Sequence, residues 1–228
     1  MRLVLASASP ARLATLQAAG IDPIVRLAPV DEAAILAAAL AREPGLLPAA
    51  QVTVLARAKA EAVAADPTIA AEDFILGCDS MLELDGEVLG KPRDAEDAAR
   101  RIRQQAGRTG LLHTGHWLIG PRPDNPKGTT GRGAGNLGRR ESLGTASSTL
   151  VRFGPMNEAE IAAYVATGEP LHVAGAFTID GLGGPFIEGI DGDHHGVVGL
   201  SLPTLRHLLN RFGLSVFQFW RTLPPDKT

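Results

Sequence analysis

Residues 74–92 constrain the fold more than any other part of the chain. They read Phe-Ile-Leu-Gly-Cys-Asp-Ser-Met-Leu-Glu-Leu-Asp-Gly-Glu-Val-Leu-Gly-Lys-Pro. The short apolar run at 74–76 has the character of a buried strand. It leads through Gly77 and Cys78 straight into a carboxylate, Asp79. A second run, 81–84, meets Asp85-Gly86, a pair that closes tight hairpins because both residues tolerate positive φ. The return strand 87–89 then presents Gly90-Lys91-Pro92. An acid at a strand end, near a glycine-flanked lysine on a connected strand, suits hydrolysis of a phosphate ester. The alternative is a hairpin carrying ordinary surface charges.

Around this hairpin, strand and helix signals alternate. Residues 3–6 and 23–27 read as strands, separated by a helix at 10–19 that Gly20 closes. Residues 31–41 and 53–65 are Ala-rich and favour helix. A charged helix spans 94–106 and stops at Gly107. The strand at 111–119 sets His113, Gly115 and Trp117 against Leu112, Thr114 and His116. Asn157, with Glu160 three residues on, predicts a capped helix over 157–167. An amphipathic helix follows at 203–212. The expectation is α/β: one domain over residues 1–228, large enough to bury a core with 45% hydrophobic residues.

Within it, residues 121–147 shift in composition. They are dense in Gly and Pro and too poor in apolar side chains to offset their ordering entropy, so a flexible insertion is expected. Arg122, Lys127, Arg132, Arg139 and Arg140 outnumber Asp124 and Glu141 there. That suits either a lid or polyanion contact or a merely solvated loop. The chain's net charge of −3 argues against a polycationic nucleic-acid surface. One cysteine, Cys78, excludes an internal disulfide framework and a Cys-rich zinc site, and fits a reducing compartment. No apolar run reaches signal-peptide or transmembrane length. A soluble cytoplasmic protein without a membrane partner is expected.

Four further motifs carry chemistry. In Leu5-Ala6-Ser7-Ala8-Ser9-Pro10-Ala11-Arg12 a strand ends and a helix begins, with Ser9 as N-cap and Pro10 at the first helical position. Free N–H groups at a helix start favour an anion. Ser7 adds a hydroxyl and Arg12 a positive charge, which makes a phosphate cradle or plain capping. Asp31-Glu32 could offer oxygen to a hard cation, and Lys59 lies on a helix of small and apolar neighbours where it either snorkels or faces an anion. The glycine-dense stretch 174–184 holds Asp180, either a reader of a base edge or a turn carboxylate. Asp191-Gly192-Asp193-His194-His195 invites a metal but meets no ligand spacing rule, and His113 and His116 should point to opposite faces of a strand.

In order along residues 3–209, these segments resemble the Maf family of nucleoside triphosphate pyrophosphatases, once described as septum formation inhibitors. The anchors are Leu-Ala-Ser-Ala-Ser-Pro-x-Arg, Val30-Asp31-Glu32, Leu-Ala-x-x-Lys-Ala, Gly-Cys-Asp-Ser with Gly-Lys-Pro, Thr167-Gly168-Glu169-Pro170, Ala-Gly-Ala-Phe and Val-Val-Gly-Leu-Ser-Leu-Pro. The resemblance implies a two-lobed Maf/ITPase-like α/β fold, with a mixed twisted sheet flanked by helices and a central cleft. It implies a hydrolase acting on acid anhydrides, which splits a nucleoside triphosphate into monophosphate and pyrophosphate with Mg²⁺ or Mn²⁺. Asp79 would be the catalytic proton acceptor. Ser7, Ser9, Arg12, Lys59 and Lys91 would surround the phosphates. Glu32, with Asp79, would serve the metal. A homodimer is also implied.

Departures from the family pattern leave the base open. Its first motif arginine is Ala11 here, and Gly196 stands where Asn is usual. The substrate-selecting positions fall at Ala11, Ser80 and Asp180. The dTTP/UTP branch resembles Arg, Thr and Gln there, the 7-methyl-GTP branch Trp, Asp and Glu; this chain matches neither. Two competing readings remain: a nucleotide-binding regulator of cell division with little turnover, and a nucleic-acid binder acting through the basic insertion. Retention of Asp79, Lys59 and Lys91 argues for the enzyme, and the lack of interleaved aromatics argues against the nucleic-acid binder.

Overall fold

The structure, a computed structural model, describes residues 1–121 and 140–221. The chain runs β1 (Leu3–Ala6), α1 (Pro10–Ala18), β2 (Ile24–Arg26), α2 (Glu32–Arg42), α3 (Pro48–Ala64), β3 (Phe74–Leu84), β4 (Glu87–Leu89), α4 (Ala95–Gln105) and β5 (Thr109–Pro121). It continues through β6 (Arg140–Phe153), α5 (Glu158–Ala166), β7 (Ile187–Asp191), α6 (His194–Val198) and α7 (Leu202–Arg211). This is the expected mixed α/β architecture. The sheet has the order β2-β1-β3-β5-β6-β7, and β4 also pairs with β3. β1 is parallel to β2 and β3; the remaining pairs are antiparallel.

Side-chain alternation divides the core between the two faces of the sheet. Leu3, Leu5, Leu76 and Cys78 pack with Leu16 of α1 and Leu205, Leu208 and Leu209 of α7. Val4, Ala6 and Ile75 pack with Ala60 and Val63 of α3 on the opposite face. The long crossovers on either side of β1 therefore cover opposite faces. In open α/β sheets such a switch point opens a crevice beyond the strand ends. A second cluster, around Leu82, Leu112, Val151 and Phe177, forms the core of the other lobe.

Strand β3 joins the two lobes. One of its edges pairs with β5 over residues 75–83. Its other edge is shared: β1 takes residues 74–77 and β4 takes residues 82–84. Residues 78–81 lie between those two partners, and the cleft opens at this gap. The two apolar runs of the sequence thus belong to one continuous strand, with Asp79 at its middle. The Asp85-Gly86 turn has the expected positive φ at both residues, 52° and 82°.

Two glycines let α3 sit directly on this strand pair. A Cβ on Gly77 would lie 2.1 Å from the Ala56 carbonyl oxygen, and one on Gly115 would lie 2.4 Å from that of Val52. Their absence of side chain brings α3 against β3 and β5.

The structure corrects the reading of the insertion. Pro121 ends β5, and residues 140–147 are not loop but the first half of β6, paired with β5 from Pro121↔Arg140 onward. Ladder hydrogen bonds offset the ordering entropy that the side chains there cannot. Residues 122–139, the rest of the expected insertion, lie outside the described residues. Among the described residues, no helix is long and apolar enough to cross a membrane.

Candidate active site

A cleft of about 1310 Å³ lies between the lobes. Its lining includes Ser7, Ser9, Ala11, Arg12, Glu32, Lys59, Asp79, Ser80, Lys91 and Asp180, so every residue that the family resemblance assigned to the site reaches one cavity.

Asp79 is buried in the stretch of β3 that pairs on one edge only. Its Oδ1 accepts a hydrogen bond from Lys59 Nζ at 2.6 Å. The same ammonium lies 2.9 Å from Glu32 Oε1. Lys59 comes from α3, which the two glycines hold close to the sheet, so its reach to Asp79 follows from the packing. Burial pushes the Asp79 carboxyl above its usual range, against the pull of the Lys59 and Arg12 cations. A carboxylate tuned upward in a cleft is suited to accept a proton. Among the described residues only Oδ1 of the pair accepts a side-chain hydrogen bond.

Asp31 and Glu32, adjacent in sequence, divide their work. Asp31 is the N-cap of α2 and accepts from the Ala34 N–H at 2.9 Å. Glu32 alone turns into the cleft. Asp79 and Glu32 converge on a single ammonium, which brings two carboxylates to one part of the cleft. Mg²⁺ is commonly held by one or two carboxylates, with substrate phosphate and water completing its shell. This donor set fits that pattern. Among the described residues, no group of three His, Cys, Asp or Glu side chains is placed to bind a metal on its own.

The phosphate-cradle motif is assembled, with one change of role. Ser9 caps α1 by accepting from the Arg12 N–H, and the Ser9 N–H donates to Ser7 Oγ at 3.2 Å. Arg12 is not an arm extended into the cleft. It is buried, donating from Nε to the Gly199 carbonyl at 2.7 Å and from Nη1 to Ser7 Oγ and the Cys78 carbonyl. Its Nη2 donates to Ser80 Oγ at 3.1 Å. All four partners are neutral. The guanidinium braces Ser7, β3 and the Gly199 turn, while its charge is left for whatever anion enters the cleft. Thr114 donates to the Gly196 carbonyl, so Ser80, which accepts from Arg12, donates to Thr114 at 2.9 Å. Lys91 and Asp180 are exposed on the cleft wall.

Sequence reasoning assigned no role to Glu169, which organises the loop bearing Asp180. Its carboxylate accepts from Thr178 Oγ1, Tyr164 Oη and the N–H groups of Leu182 and Gly183. Burial would raise its pKa, but these donors together hold it below the usual range. Its place in Thr-Gly-Glu-Pro was the available signal. The histidines lie elsewhere. His113 bridges Ser148 and Glu83, while His116, on the opposite face of β5, accepts from the Ser201 N–H. Asp193 caps α6, donated to by the N–H groups of His195 and Gly196.

Comparison with known proteins finds relatives of this chain along nearly its whole length. The profile of the Maf-like protein family matches residues 2–212. A protein of Streptomyces avermitilis is 49% identical over 219 residues, covering 96% of this chain and 94% of that protein. One of Saccharopolyspora erythraea is 50% identical over 224 residues, covering 96% and 97%. One of Nocardia farcinica is 50% identical over 220 residues, covering 96% of each. All three bear the name nucleoside triphosphate pyrophosphatase.

Proposed function

This chain belongs to the Maf family, and from that premise we propose that it hydrolyses nucleoside triphosphates to nucleoside monophosphate and pyrophosphate. The observation that carries the reading is the buried Asp79 held by Lys59 at the centre of the cleft. Around it stand the α1 N-terminus, Arg12 and Lys91. Water held at Asp79 Oδ2 attacks the α-phosphorus as its proton passes to the carboxylate, and the bond to the bridging oxygen breaks. Phosphoryl substitution needs positioning and neutralisation of oxygen charge more than covalent help. Arg12, Lys91 and the positive end of the α1 dipole meet the charge that grows on the departing pyrophosphate. Asp79 and Glu32 would hold a divalent cation, whose chemistry would be to neutralise phosphate charge and lower the pKa of water.

The alternative of a regulator with little turnover has no support from the site, because Asp79, Lys59 and Lys91 are all present and assembled. A role in removing noncanonical or excess nucleotides, a cytoplasmic location and a homodimer belong to the same proposal. They rest on the family resemblance, and the location also on the single cysteine. The base selected by Ala11, Ser80 and Asp180 is read by experiment. Wild type and Asp79→Asn are incubated with UTP, dTTP, CTP, GTP, 7-methyl-GTP and 5-methyl-UTP in Mg²⁺ or Mn²⁺. Pyrophosphate with monophosphate, lost at least 10²-fold in the variant, is the expected result. Orthophosphate with diphosphate would mean that a different bond is cleaved.

A further inference from the structure

Helix α4 stands outside the cleft, yet two of its side chains hold the backbone of two cleft loops. Arg101, buried at 9% exposure, donates from Nη1 to the Gly90 carbonyl at 2.8 Å. Its Nη2 pairs with Asp97 at 2.7 Å. Asp97 is fixed in turn: it accepts from Arg100 and from the Arg93 N–H, and these donors with Arg101 hold its carboxyl far below the usual range. One turn further on, Gln105, at 2% exposure, donates to the Gly175 carbonyl. The Gly175 N–H itself donates to the Gly90 carbonyl at 3.0 Å. Gly90 and Gly175 are therefore bonded to each other and both bonded to α4.

These two residues begin neighbouring segments of the cleft wall. Gly90 precedes Lys91, whose side chain is exposed in the cleft and makes no ion pair among the described residues. Gly175 precedes Phe177, Thr178 and Asp180, which also line it. A flexible lysine stabilises departing charge only as well as its backbone is placed. A placement error of about 1 Å can cost 10²-fold in rate.

We propose that Arg101 is a positioning residue for Lys91, acting from Asp97 through the Gly90 carbonyl, with Gln105 extending the same tie to the Asp180 loop. The inference rests on the pyrophosphatase reading. Arg101 does not touch substrate. It decides where Lys91 stands.

A double-mutant cycle tests this. kcat/KM is measured for wild type, Arg101→Met, Lys91→Ala and the double variant. Affinity for α,β-methylene analogues of UTP, CTP and GTP is measured alongside, so the cycle is readable even if Lys91→Ala abolishes turnover. Arg101→Met is expected to lose roughly tenfold or more in kcat/KM. In the Lys91→Ala background the same substitution should cost little further, because the residue it positions is gone. Arg101→Lys, which keeps the charge and one donor for Gly90, should recover part of the loss. An equal loss in both backgrounds would overturn the proposal, since Arg101 would then act on the fold at large. Wild-type kinetics in Arg101→Met would overturn it too. If Arg101→Met does not fold, Arg101→Gln, which removes the charge and keeps a polar side chain, is put through the same cycle. Failure of the wild type to release pyrophosphate from any triphosphate would instead sink the proposed function, and the analogue affinities would still decide the role of Arg101.

Discussion

Asp79 accepts a proton only when ionised, and opposing influences set the pH at which that happens. Burial raises its pKa, while Lys59 and Arg12 lower it, and burial wins. The acid limb of kcat/KM against pH should therefore lie above the ordinary aspartate range of about 3.9. Lys59→Met removes the closest opposing cation, so the limb should move to still higher pH, with activity at neutral pH falling. A limb that stays put or moves down would mean that the ionising group is not Asp79. The stability effect has its own sign. Between the ordinary value and the raised one, the folded state keeps a proton that the unfolded chain has released, so stability falls as pH rises through that window. Lys59 and Asp79 were legible in the sequence because each sits in a short motif with small neighbours. The work of Arg12 was not: its partners at Cys78 and Gly199 lie 66 and 187 positions away. Only the fold brings them to the guanidinium.

At the scale of elements, the distance between α3 and the sheet matters most. It is set by Gly77 and Gly115, not by the propensity of the helix. Gly77→Ala places a methyl group 2.1 Å from the Ala56 carbonyl and 2.9 Å from the Ala60 nitrogen, both backbone atoms that cannot rotate away. The helix must shift, at a cost of about 1–3 kcal/mol for an overpacked site. Because Lys59 rides on that helix, the loss of kcat/KM should exceed what the lowered Tm implies at assay temperature. Thermal melts and kinetics on the same preparation check this; full activity would mean that α3 is not held by this contact. Elements with strong local signals were legible, such as α5, whose capping box forms with both expected hydrogen bonds. The first half of β6 was not, because Arg-Glu-Ser-Leu-Gly-Thr-Ala-Ser carries few apolar residues and its order comes from pairing with β5. The five-residue α6 was hidden by His194, His195 and Gly196, poor helix formers held by the Asp193 cap.

For the whole molecule, the cleft is a gap between two cores with β3 running through both. Alternating strand and helix signals made the α/β class legible, but strand order was beyond them: the β1/β3 switch point is a fact of pairing. A nucleotide would touch Ser7, Lys59 and Asp79 on one lobe and the Phe177–Asp180 wall on the other. A ligand that binds only the folded state stabilises it by mass action, about 2.7 kcal/mol at a concentration of 100 Kd. For a chain of 228 residues that corresponds to roughly 5–11 °C in Tm. Asp79→Asn, defective in the proton transfer but with the rest of the cleft intact, should show this shift with unhydrolysed triphosphate. Adding Lys91→Ala to that variant should raise the ligand concentration needed for the same shift. The monophosphate, which lacks the groups that Lys91 would meet, should shift wild type and Lys91→Ala alike. Differential scanning fluorimetry over a range of ligand concentrations separates these cases. Equal shifts from triphosphate in Asp79→Asn and in the Asp79→Asn/Lys91→Ala double variant would take Lys91 out of the phosphate site, and with it the route through which Arg101 is argued to act.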